Sequence, residues 1–307
     1  MPLAFTAMAL AQNRSGSEEA AAAAAAFEQG RPKEAIHLMR RALDLEPTNA
    51  AYLAGLGQMY LSTGQPALAA PLLERSWKSV PGDIDVNLAL AQAYQNLDRD
   101  LDALRTLGQK PPARPQQPLW FFLRGFSLFR SGRIDEAKTV FRSLLAHAEQ
   151  RPLARFFLAN CHYVENDLEG ALPYYVAAIK EGNTPDNRAL NAYYYNYGLA
   201  LYRLRRFDEA LGAFRQSVER FSRDPLPRFF LARCLTERME HQEAIRVLSE
   251  VIEEFPDFPA ALYQLARLHS TSGDRATGQE LFRKYAARRE RQQEDELQLA
   301  KRIKLGR

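Results

Sequence analysis

Residues 132–141 read GRIDEAKTVF, and residues 205–214 read RRFDEALGAF. Both place Asp-Glu-Ala ahead of a short stretch that closes on Phe. The same ten-residue frame recurs as GRPKEAIHLM (30–39), GQPALAAPLL (64–73), DRDLDALRTL (98–107), NDLEGALPYY (166–175), MEHQEAIRVL (239–248) and GDRATGQELF (273–282). Its sixth place holds Ala35, Ala69, Ala103, Ala137, Ala171, Ala210, Ala244 and Gly278. The steps between these small residues are 34, 34, 34, 34, 39, 34 and 34. A period this strict marks stacked supersecondary units, none of which buries its apolar face alone. The one long step crosses KEGNTPDNRA (180–189), whose composition predicts an extended loop.

Each period divides into two helical patterns. In the second, Leu53, Leu56, Gly57 and Tyr60 fall on one helix face. STGQ (62–65) is turn-like; Ala69, Leu73 and Ser76 then mark a second helix, which Pro81 stops. The fourth period repeats the scheme with Phe121, Gly125 and Leu128, then Ala137, Phe141 and Leu144. The sixth does so with Tyr194, Tyr197, Gly198 and Leu201, then Ala210, Phe214 and Ser217. Antiparallel helices joined by a short turn approach closely only where one side chain is small. The facing helix supplies bulk, here Tyr60, Phe141 or Phe214. The acids Asp135, Glu136, Asp208 and Glu209 start second helices, where negative charge suits the helix dipole. They read as scaffold rather than as an acid/base pair.

On these residues the chain resembles the tetratricopeptide repeat (TPR) family, whose pattern is W-x2-L-G-x2-Y, then A-x3-F, then P. LAGLGQMY (53–60), ALAAPLL (67–73) and Pro81 follow it, and Ala137/Phe141 and Ala210/Phe214 meet A-x3-F literally. The resemblance implies an all-α, right-handed superhelical α-solenoid of about eight helix-turn-helix units. They start near Gly16, Ala50, Ile84, Pro118, Pro152, Asn191, Pro225 and Pro259 and span 16–290. Residues 1–15 precede the array, and 291–307 follow it as a basic, polar capping helix or tail. Three departures carry expectations. The run AAAAAAA (20–26) predicts a first helix that packs thinly and frays. KPPARPQQP (110–118) predicts a short second helix in unit three, and Gly278 stands where Ala is expected in unit eight.

The 307 residues are 46% hydrophobic and 25% charged, which suits a folded chain with ample core. Of the formal net charge of +4, residues 283–307 carry +5, so the body is close to neutral. That argues against nucleic acid as a partner, since a binding body would carry a broad basic stripe. No apolar run reaches the roughly 18 residues of a membrane span. The opening MPLAFTAMALAQ is apolar, and Ala9-Leu10-Ala11 before Gln12 has the form of a signal-peptidase site. A charged leader and a longer apolar core are missing from it. Two readings stand: a loose N-terminus and a cytoplasmic protein, or a start inside a longer signal peptide and a periplasmic or secreted one.

The search for chemistry finds no constellation. His37, His147, His162, His241 and His269 have no zinc spacing, and HExxH, GxSxG, GxGxxG and the P-loop are absent. Cys161 and Cys234 each hold the tenth place of a unit, which predicts a packing role. No catalytic residue, metal site or cofactor is expected.

In the family that the chain resembles, first helices line a concave face, with inward positions near the second, fifth, ninth, twelfth and thirteenth places. The resemblance therefore implies a groove bearing Phe122, Phe126, Phe129 and Arg130 in unit four and Phe156, Asn160 and Tyr163 in unit five. Tyr195, Tyr202 and Arg203 follow in unit six, Phe229 and Arg233 in unit seven, and Tyr263 and Arg267 in unit eight. Units two and three offer the smaller, more polar Ala54, Gln58, Leu88, Gln92 and Asn96. Aromatics and arginines are the types enriched at binding hot spots. The chaperone-binding branch grips a terminal carboxylate with Lys at the fifth place and Asn at the ninth. Asn160 matches one ninth place without any such lysine, so that ligand is not expected. Two functions follow as expectations. One is a non-enzymatic adaptor binding a peptide or helical segment of another protein, apolar with acidic groups. The other is an exported envelope factor that binds a glycan or lipid-linked ligand or assists envelope assembly.

Overall fold

The computed structural model describes residues 15–113, 117–184, 186–220 and 224–305, with side chains through residue 295. The expected N-terminal remnant over 1–15 lies, but for Ser15, outside the described residues. The described residues form sixteen α-helices and no strand. None is long and apolar enough to cross a membrane.

The chain divides into two compact units, Met1–Gln150 and Arg151–Arg307. The N-terminal unit holds four helix pairs: α1 (Gly16–Glu28) with α2 (Pro32–Leu45), α3 (Ala50–Ser62) with α4 (Pro66–Ser79), α5 (Ile84–Asn96) with α6 (Asp100–Leu107), and α7 (Gln117–Arg130) with α8 (Ile134–Leu144). The C-terminal unit holds four more: α9 (Arg151–Val164) with α10 (Leu168–Gly182), α11 (Leu190–Arg203) with α12 (Phe207–Arg220), α13 (Pro225–Glu237) with α14 (His241–Glu254), and α15 (Pro259–Thr271) with α16 (Arg275–Leu305). Within each unit, a second helix also packs on the first helix of the next pair.

The close approach expected of the small residues is present. A Cβ built on Gly125 would lie 2.6 Å from the Phe141 ring, and one on Gly198 2.7 Å from the Phe214 ring. Both rings are fully buried. In the second pair the bulk facing Gly57 is Leu73, 2.6 Å from such a Cβ, rather than Tyr60. Cys161 and Cys234 are also fully buried, and burial pushes the Cys234 thiol up to about 12. Both cysteines are packing residues.

The turns show a regularity that composition alone does not disclose. In all eight pairs the fifteenth residue of the repeat has a positive φ: Gly30, Gly64, Gly132 and Gly273, and also Asp98, Asn166, Arg205 and Met239. In seven of the eight turns the next amide reaches back five residues to close the first helix, as in Arg133 N–H to Leu128 O at 2.9 Å and Glu240 N–H to Leu235 O at 2.9 Å. Several second helices then start on an arginine-to-carboxylate brace. Arg133 holds Glu136 through two bonds of 2.7 Å, and Arg206 holds Glu209 in the same way. Glu136 and Glu209, two of the acids of the repeat frame, thus act as scaffold.

Two departures are resolved by neighbours. The short helix of the third pair, α6, ends at Gly108, and Trp120 of α7 donates from Nε1 to Leu107 O at 2.9 Å. The alanine run does not leave α1 loosely attached. Ser15 and Glu18 form a reciprocal cap, Ala23 and Ala26 are buried, and buried Glu19 pairs with Arg41 at 2.7 Å. Alanine fills this interface because the two helices approach closely enough to need nothing larger. The five-residue excess sits between α10 and α11, where Asn187 donates to Gly182 O at 2.7 Å and accepts from Ala189 N–H at 3.0 Å. At the C-terminus, α16 runs without a break from the last pair into the basic tail.

Candidate functional site

The residues expected to line a groove have different fates. In the N-terminal unit, Phe122 and Phe126 of α7 stack with ring centroids 5.9 Å apart, and Phe129 is half-buried beside them. Arg130 lies over the Phe126 ring at 5.6 Å and is already neutralised. It pairs with Asp98 in the preceding turn, pairs with Asp100 at 3.0 Å, and donates to Gln95 O at 3.2 Å. Nearby, Gln58, Leu88 and Gln92 line an open cavity of about 540 Å³ with Leu61, Ala89 and Leu119, a mixed wall whose one charged residue is Asp85.

In the C-terminal unit, Phe156 is only 9% exposed and stacks on Tyr193 at 4.6 Å, so its ring belongs to the packing between first helices. Asn160 accepts from the Tyr175 hydroxyl at 2.6 Å. Arg203 lies over Tyr163 at 4.8 Å and donates to Asn166 Oδ1 at 2.6 Å, the same link to a preceding turn that Arg130 makes. Tyr195 and Tyr202 both pack edge-on against Phe230, at 6.0 and 5.8 Å, and burial pushes Tyr195 up to about 12. These side chains hold neighbouring repeats of the C-terminal unit together.

The remaining four expected residues converge. Phe229, Arg233, Tyr263 and Arg267 line one open cavity of about 430 Å³, together with Pro259, Ala260, Gln264, Tyr285 and Arg289. Tyr263 is 43% exposed and touches Tyr285 at 5.4 Å and Phe282 at 5.6 Å. Arg233 is held over Tyr202 at 4.8 Å, Phe230 at 5.4 Å and Phe229 at 5.9 Å. No carboxylate lines the cavity. Among the described residues with assigned side chains, no group of three or more His, Cys, Asp or Glu is placed to hold a metal ion.

Family models described as tetratricopeptide repeat match residues 7–151, 122–188, 195–259 and 259–284. The chain belongs to the tetratricopeptide repeat family. None of the curated proteins matches it in sequence. Among solved TPR-like structures, it resembles one in the crystal structure of the APC/C hetero-tetramer Cut9–Hcn1, at 18% identity and a TM-score of 0.62. That match covers 80% of this chain and 48% of the other, so this chain spans about half the length of that relative. It also resembles MamA, at 16% identity and a TM-score of 0.51, over 55% of this chain and 96% of that one. These likenesses bear on fold. As a TPR array, the chain is a scaffold for protein–protein interaction.

Three cavity or groove residues escaped the reading by TPR position. Phe230 holds the sixth place of its unit, beside the expected fifth, and is the ring on which Tyr195 and Tyr202 converge. Tyr285 and Arg289 lie on α16, a second helix, where inward places of first helices do not apply. A sequence signal for the last two existed: FFLAR (229–233), YQLAR (263–267) and YAARR (285–289) each space an aromatic and an arginine by four. At that spacing both side chains share one helix face.

Proposed function

We propose that this chain is a non-enzymatic adaptor that holds a segment of another protein on its C-terminal unit. The supporting observation is the convergence of Phe229, Arg233, Tyr263 and Arg267 on one open cavity without an acidic residue in its wall. Rings supply apolar contact area, and guanidiniums supply forked donors for an acidic group. The partner segment is apolar with at least one acidic group, and it docks beside the first helices α13 and α15. Phe156 is not among its anchors in this reading, because its ring is only 9% exposed and stacks on Tyr193.

The test is affinity capture from the source organism with the intact chain and with Phe229→Ala/Tyr263→Ala, followed by reciprocal capture with each recovered partner. The reading expects at least one partner, confirmed in both directions, to be lost with the double variant while its helical content is unchanged. A partner set that is the same for both proteins overturns it.

A further inference from the structure

The cavity is built three times from one local device. Phe229 and Arg233 on α13, Tyr263 and Arg267 on α15, and Tyr285 and Arg289 on α16 each lie four residues apart and point into the same space. Each helix thus contributes one ring and one guanidinium. Many arginines elsewhere in the molecule are matched to carboxylates, among them Arg133 to Glu136, Arg206 to Glu209, Arg228 to Glu254 and Arg130 to Asp98 and Asp100. Arg233, Arg267 and Arg289 form no ion pair among the described residues, and the wall they share holds no acid. Three like charges brought to one cavity without a counterion repel one another, so the cavity is most stable with an anion in it.

We infer that the cavity takes a phosphoryl group, presented as a phosphorylated side chain of the partner segment. A carboxylate offers two oxygens and one charge, which leaves one of three guanidiniums unmatched. A phosphate monoester carries about −1.5 to −2 charges and three strong acceptor oxygens, one for each guanidinium edge. Arginine's planar fork suits phosphate oxygens in pairs, and its charge does not titrate away. The Phe229, Tyr263 and Tyr285 rings form the apolar wall against which the carbon part of that side chain lies. The inference rests on the adaptor reading for its source, a protein segment, and on the cavity alone for its chemistry.

The test titrates the full chain by calorimetry with phenyl phosphate and with benzoate, which share a ring and differ in the anion. Phenyl phosphate is expected to bind about tenfold tighter or more, since charge-assisted bonds to phosphate exceed those to a single carboxylate. Arg267→Gln/Arg289→Gln removes that binding; both residues are exposed, so the fold is expected to stand. Arg246→Gln, on α14 beside Glu243 and Glu250, leaves it unchanged. Equal affinity for the two ligands, or phenyl phosphate binding that survives the double variant, overturns the inference. Phosphatase treatment of the captured partner separates the two readings. Capture that survives phosphatase but is lost with Phe229→Ala/Tyr263→Ala keeps the adaptor and overturns the phosphoryl group. Arginine-dependent phenyl phosphate binding without any captured partner keeps the cavity's chemistry and overturns the adaptor.

Discussion

Replacing Met239 by glycine should make this protein more stable, and replacing Asp98 by glycine should not. Both residues occupy the left-handed fifteenth place of a turn, Met239 with φ 64° and Asp98 with φ 58°. That conformation costs an L-residue roughly 1–2 kcal/mol. Glycine escapes the cost but adds unfolded-state freedom worth roughly 0.5–1 kcal/mol. The side chain of Met239 is 74% exposed, so its removal sacrifices no core contact. The net expectation for Met239→Gly is a gain of about 0.5–1 kcal/mol. Asp98→Gly has the same backbone gain but deletes the ion pair to Arg130. Exposed pairs of this kind contribute about 0.2–1 kcal/mol, which brings the second variant to about zero. Urea unfolding followed by circular dichroism measures the global change. Amide hydrogen exchange in α13 and α14 locates it, because repeat units open partly on their own. A loss of stability in Met239→Gly, or an equal gain in Asp98→Gly, would refute the reasoning.

Three further outcomes follow from the packing and the charges. Gly198→Ala drives a Cβ to 2.7 Å from the buried Phe214 ring and should cost about 1–3 kcal/mol, while Gly212→Ala, with nothing within 4 Å, should gain up to about 1 kcal/mol of helix propensity; urea midpoints compare them. Cys161 and Cys234 are fully buried, so a thiol-reactive dye at pH 8 should label neither until denaturant is added, and rapid native labelling would contradict their packing. Hydrogen bonds from Arg133 and Arg206 hold Glu136 and Glu209 below their ordinary value of 4.5. A depressed folded pKa stabilises above that ordinary value and loses its contribution as pH falls through the folded one, so the urea midpoint should drop below about pH 4.5, and less so in Arg133→Gln/Arg206→Gln.

The fold was legible because its repeated contact is one of volume. A glycine at the eighth place faces Phe141 or Phe214, where an added Cβ would meet the ring at 2.6 or 2.7 Å. The site was less legible, because repeat position fixes which way a Cα–Cβ bond points and not what the side chain meets there. Phe156 and Phe229 both hold fifth places, yet Phe156 stacks on Tyr193 while Phe229 reaches a cavity. Tyr193 is the bulky third residue of the next unit, and the corresponding residue beyond Phe229 is Ala261. Phe229 instead meets Phe258 edge-on at 5.3 Å, at the cap of the following first helix, and this leaves part of its ring in the cavity wall. The arginines follow similar logic. Arg130 meets Asp98 and Arg203 meets Asn166, each a polar residue at the left-handed place of the preceding turn. The thirteenth place of unit eight is Thr271, and the preceding turn there offers Met239, so no such brace is available to that turn. The cavity arginines on the first helices of the last two units sit instead at ninth places, Arg233 and Arg267, one helical turn before the turn residues. An arginine at the thirteenth place is therefore a brace when the preceding turn carries Asp or Asn. An arginine at the ninth place keeps its charge for whatever enters the cavity.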